Sequence, residues 1–148
     1  MLATAHTFAG ATIALKIQNP WAALPLALLS HFVLDTIPHW DFFTFRNKIT
    51  RRDKIKTILD FLVGLSVGMF FVLRALPNKT LAATIFFSCA LANLPDALEA
   101  PYIFFGRNNN FIRLVMKIQH IFHSRLCFPW GLLTQLAFID LCLLLLNC

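Results

Sequence analysis

Apolar and polar positions alternate along this chain in long blocks. Five apolar runs stand out, at residues 2–17, 21–37, 57–76, 80–98 and 126–146. A helix needs about 20 mostly apolar residues to cross the hydrocarbon of a bilayer, so the last three runs have spanning length and the first is short. Pro20 precedes the second run, where its fixed φ suits a first helical turn. The third run carries Gly64 and Gly68, a GxxxG spacing that lets a neighbouring helix approach closely. Segment 107–125 is polar and basic, but its core reads FIRLVMKIQHIFHS and predicts an amphipathic helix lying at the membrane surface. The pattern predicts an all-α polytopic membrane protein of about five helices with a short amphipathic interfacial helix, organised as a single transmembrane domain over 1–148.

Composition sharpens that class. Hydrophobic residues make up 58% and charged ones 14% of the chain, against about 25% charged in soluble domains. The formal charge of +6 is confined to connectors, so it reads as topology and excludes nucleic-acid binding as the expected role. Connector 46–56 holds Arg46, Lys48, Arg51, Arg52, Lys54 and Lys56, and segment 107–125 holds Arg107, Arg113, Lys117 and Arg125. The opposite side has only Lys16, Arg74 and Lys79. The basic side is expected to be cytoplasmic, which puts the N-terminus inside and the C-terminus outside. The first run lacks a basic leader and carries His6, so no cleavable signal peptide is expected. Cys89, Cys127, Cys142 and Cys148 are scattered without a CxxC pair and read as buried thiols.

The chemistry is concentrated in HFVLDTIPHWD, from His31 to Asp41, at the end of the second run. His31 and Asp35 are spaced i, i+4 and share a helix face. Pro38 disfavours helix at the residue before it, so His39 and Asp41 are expected to return over the helix end from a turn. A second cluster pairs Asp96 with Glu99 and His120 with His123, each at i, i+3. With the predicted topology, His6, His31, Asp35, His39, Asp41, Asp60, Asp96, Glu99, His120 and His123 fall at one membrane level. Ionisable groups in or near spans mark function, and His with carboxylate donors suits a divalent metal, zinc or manganese first. One crowded ion or two ions about 3.5–4 Å apart would use this donor set. Interfacial capping is the alternative for each residue alone. Asp60 in particular is as well explained by a helix-start charge as by an accessory role at the metal. Asp140, inside the last run, belongs to neither cluster.

Three short motifs carry a family likeness: TAHTFAG at the N-terminus, LPDALEAPYIFFGR from Leu94 to Arg107, and QHIFHS from Gln119 to Ser124. Together they resemble the predicted membrane-bound metal-dependent hydrolases of bacterial inner membranes, the YdjM-like family. The resemblance implies a small polytopic protein with a metal held by His6, Asp96, His120 and His123, and Arg107 and Ser124 as accessory positions. Two features depart from the family pattern. Ile121 and Phe122 stand where Arg and Gly usually follow the first paired His, and SHFVLD (Ser30 to Asp35) lies early instead of late.

The expected activity is therefore metal-dependent hydrolysis at the cytoplasmic headgroup level, on a membrane lipid or another phosphoester. The metal ligands are drawn from His6, His31, Asp35, His39, Asp96, His120 and His123. Glu99 or Asp41 takes a proton as general base, and Arg107 and Arg125 meet the substrate's charge. A non-catalytic metal-binding protein, transporter or sensor, is the alternative; a transporter should place its ligands near the bilayer midplane. A structural membrane protein with polar caps is a third reading, favoured if the metal-free protein folds normally.

Overall fold

Six helices carry the fold in the computed structural model, which describes residues 1–42, 49–107 and 109–147. Arg46 and Lys48 of the basic connector, and Cys148, lie outside the described residues. The helices are α1 (Ala3–Ile17), α2 (Pro20–Asp35), α3 (Arg51–Ala75), α4 (Lys79–Phe105), α5 (Asn110–Phe122) and α6 (Trp130–Asn147). Five of them follow the apolar runs, and α5 is the amphipathic segment. Among the described residues there is no strand, only an isolated parallel bridge between His39 and Arg125.

Two boundaries differ most from the sequence reading. α3 starts at Arg51, before the apolar run, because Thr50 and Asp53 form a capping box that satisfies the first-turn N–H groups. Half of the basic connector is therefore helical. α4 runs on past Pro95 and Pro101 to Gly106, whose φ of 66° ends it in the left-handed region. Pro95 cannot donate a hydrogen bond to Leu91 and its ring crowds the preceding turn, but packing carries the helix through.

α1 is the central element, in contact with α2, α3, α4 and α6. Small residues make this possible. A Cβ on Gly10 would stand 2.7 Å from the Ser88 carbonyl oxygen and 2.9 Å from Cys89 Cα, so α1 and α4 touch backbone to backbone. Gly64 and Gly68 of α3 both face Thr7 of α1, which is the close approach their spacing predicts. Polar side chains join the same seam: Asn93 Nδ2 donates to Thr7 Oγ1 at 3.0 Å and to the Cys89 carbonyl at 2.9 Å. By contrast Leu62, Phe70, Leu73, Leu136 and Leu144 are exposed on the outer faces of α3 and α6. α3, α4 and α6 are long and apolar enough to cross a membrane, and α2 is apolar but shorter.

Candidate metal centre

The N-terminus of α1 meets the C-terminus of α2, the last third of α4 and the end of α5 at one end of the bundle. Asp35 lies at the centre of this junction and is 2% exposed. His6 Nε2 is 3.4 Å from Asp35 Oδ1 and His31 Nε2 is 3.4 Å from Oδ2. His39 Nε2 stands 3.9 Å from Oδ1. His31 also faces Asp96 Oδ1, at 3.6 Å. The Met1 nitrogen donates to Asp35 Oδ1 at 2.8 Å. His6, His31 and His39 are each fully buried.

Two of these imidazoles are fixed in one tautomer by backbone acceptors. His31 Nδ1 lies 2.8 Å from the Ala92 carbonyl oxygen, and His39 Nδ1 lies 2.8 Å from that of Ile37. A carbonyl can only accept, so each Nδ1 carries the proton and each Nε2 presents a lone pair. Metal-binding histidines are held in the same way. The Ala92 carbonyl is one turn before Pro95, where the ring disturbs the helical ladder. Neither nitrogen of His6, nor Nε2 of His31 or His39, has a hydrogen-bond partner. Buried polar atoms are normally satisfied, and here three buried imidazole Nε2 atoms face one carboxylate without a hydrogen bond. The 3.4 Å contacts exceed the usual N–H···O range of roughly 2.7–3.2 Å. They match the separation, about 3.4 Å, of two ligands each about 2.1 Å from one tetrahedral ion. The residues therefore fit a divalent cation. Burial, reinforced by the Met1 ammonium, holds the His39 imidazole down at about 4, so it is neutral and able to coordinate at pH 7.

A strap of backbone bonds aims the second part of the cluster. After α2 the chain turns, and His39 N donates to the Ser124 carbonyl while Leu126 N donates to that of His39. Ser124 N in turn donates to the Asp35 carbonyl. This pairing brings His123 against the strap, its ring 4.6 Å from that of His39 and its Nε2 3.0 Å from Asp41 Oδ2. His6 and His31 form the other ring pair, stacked at 4.2 Å. α6 supports the strap. Gln135, 1% exposed, donates to the Trp40 carbonyl and accepts from Leu2 N. Gly131 sits where a Cβ would be 2.5 Å from Trp40 N.

Of the residues singled out in the sequence, the structure brings together His6, His31, Asp35, His39, Asp41, Asp96 and His123. Glu99, one turn beyond Asp96, lies within electrostatic reach of Asp35, Asp41 and Asp96. His120 is not brought in. α5 ends at Phe122 and His123 is extended, so the i, i+3 spacing no longer places the two on one face, and His120 is exposed. Asp60 serves another purpose. Its carboxylate accepts from Ala3 N at 2.6 Å, Thr4 N at 3.3 Å and Thr4 Oγ1 at 2.6 Å, capping α1 from the neighbouring helix. Ser124 contributes backbone groups to the strap, while Arg107 and Arg125 are exposed outside the cluster. Sequence reasoning passed over Gln135, although a lone amide in an apolar run is a usable signal. It had no means of finding the Ala92 and Ile37 carbonyls, which are backbone atoms.

No family model, curated protein or solved structure matches the chain.

Proposed function

We propose that this chain is a membrane-embedded metal-dependent hydrolase, with its centre facing the cytoplasmic side of a bacterial inner membrane and a lipid or other phosphoester as substrate. One observation carries the reading: three buried imidazoles with unpartnered Nε2 atoms surround one buried carboxylate. The motif likeness to the YdjM-like hydrolases points to the same reaction class.

A divalent ion at this place supplies Lewis acidity toward a phosphoryl or carbonyl oxygen and makes water a competent nucleophile near pH 7. The remaining work belongs to the chain. His6, His31 and Asp35 hold the ion's position, and the Ala92 carbonyl keeps His31 in the coordinating tautomer. Asp96, 38% exposed on its side chain, marks the open side of the cluster where water and substrate enter. Glu99 stands next to that opening and takes the proton of the attacking water. Arg107, beyond the end of α4, offers a cation to an anionic headgroup.

The test is elemental analysis of the purified protein before and after chelation, followed by turnover of phospholipids and phosphate monoesters with added Mn²⁺ or Zn²⁺. Stoichiometric metal with hydrolysis supports the proposal. Metal without turnover on any of these substrates turns the reading to a non-catalytic metal-binding protein, and no metal under reconstituting conditions ends it.

A further inference from the structure

We propose that Asp35 bridges two divalent ions, the first held with His6 and His31 and the second with His39 and His123. The inference rests on the metal-centre reading above and adds a second ion position to it. Donor atoms of His6, His31 and Asp35 all lie within 4.8 Å of one another, and so do those of Asp35, His39 and His123. Asp35 is the one residue common to both groups. Oδ2 faces His31, while Oδ1 faces His6, His39 and the Met1 nitrogen.

A single ion leaves too many donors unused. Four imidazoles and the carboxylates of Asp35, Asp41 and Asp96 converge here, against four ligands for a tetrahedral site. The rings group in the same way as the donors, His6 with His31 and His39 with His123. The second group has its own unsatisfied atom: His39 Nε2 is fully buried without a hydrogen bond, and its Nδ1 proton is committed to Ile37. Ions sharing one carboxylate stand about 3.5–4 Å apart, the separation at which two metals clamp the attacking and leaving oxygens of a phosphoester.

The test uses the full chain in detergent, loaded with Mn²⁺ alone and freed of excess, with metal counted by mass spectrometry and spin state read by electron paramagnetic resonance. Wild type should hold two Mn²⁺ per chain and show the spectrum of an exchange-coupled pair. His39→Ala and His123→Ala should each fall to one Mn²⁺ with an uncoupled six-line spectrum. Asp35→Asn, which keeps the shape but cannot bridge, should hold less than one. His120→Ala should keep both ions. One uncoupled Mn²⁺ in wild type overturns the second position but leaves the metal hydrolase standing, whereas no bound Mn²⁺ overturns both. Two uncoupled ions, or two ions retained in folded His123→Ala, also overturn the bridge. Circular dichroism and gel filtration establish which variants are folded, and His123, at the partly exposed edge, serves if His39→Ala is not.

Discussion

Removing the Asp60 carboxylate separates a positioning role from a ligand role at this centre. α1 has Leu2 at its N-cap, a residue with no side chain able to cap, so the helix takes its cap from α3. Asp60 accepts from two backbone N–H groups and one hydroxyl of the first turn. Losing an N-cap costs ~1 kcal/mol, and the loss of charge at the helix N-terminus adds ~0.3–1 kcal/mol. Asp60→Ala should therefore destabilise the protein by about 1–2 kcal/mol. Asp60→Asn, which still accepts hydrogen bonds, should recover about half of that. His6 lies one turn into α1, so fraying of this turn should weaken metal affinity by ~10–100-fold, as loss of supporting groups does elsewhere. Stoichiometry at saturating metal should stay unchanged. Unfolding in mixed micelles of denaturing and mild detergent measures the first effect, and a Zn²⁺ titration with a competing chelator measures the second. A stability change below about 0.5 kcal/mol would refute the capping argument. A lost ion at saturation would make Asp60 a ligand.

Three further outcomes follow from the same geometry. Gly131→Ala puts a methyl group against Trp40 N, the Leu126 carbonyl and His39 C, with no flexible atom to yield. It should cost ~1–3 kcal/mol and reduce metal binding by displacing the strap; an unchanged melting temperature and metal content would show that the strap tolerates the shift. The unfolded chain protonates His39 near 6.5 but the folded chain only near 4, so protons favour the unfolded state between those values. Stability of the metal-free protein should fall as pH drops from about 6.5 towards 4, and thermal melts across that window would detect it; a flat profile counts against burial of a neutral His39. In a chain with its native cysteines replaced by serine, Asn110→Cys should resist an impermeant thiol reagent in intact cells and Lys79→Cys should react, reflecting the Lys and Arg bias. The reverse labelling pattern turns the centre towards the periplasm.

The hydrophobic pattern carried the helices because apolar packing acts on long blocks of side chains. It failed where local chemistry outweighs the block. The Thr50–Asp53 capping box lengthens α3 into a basic connector, and packing holds α4 helical through two prolines. The centre was legible as far as chain topology could bring residues to one level: His6, His31, Asp35, His39 and Asp96 were placed by helix ends alone. His120 illustrates the limit. Its spacing from His123 would align them only within a continuous helix, and α5 stops one residue short. The strap between 39 and 125 depends on backbone pairing between segments far apart in sequence, which no periodicity encodes. Asp60 was visible as a charge near a helix start, but the helix it caps is α1 and not its own.

Depth in the bilayer links this site to its proposed substrate. Asp60 precedes the far end of α3 at Ala75 by fifteen residues, and Asp96 follows the start of α4 at Lys79 by seventeen. At 1.5 Å per residue the centre lies about 22–26 Å from the far ends of these helices. The hydrocarbon is ~30 Å thick, so in the proposed arrangement the centre sits several ångströms below the near headgroups. α3 continues outward past Asp60 to Arg51, about 13 Å further. In the same proposed arrangement Arg51, Arg52, Lys54 and Lys56 would reach phosphate level; Lys54 donates to the Phe104 carbonyl at the end of α4. A water-soluble phosphate monoester would have to leave the aqueous phase to reach such a centre. A lipid holds its ester groups at the edge of the hydrocarbon, within several ångströms of that depth, with its acyl chains against the exposed apolar faces, and this is the physical reason for preferring a lipid to a water-soluble substrate in the proposed function.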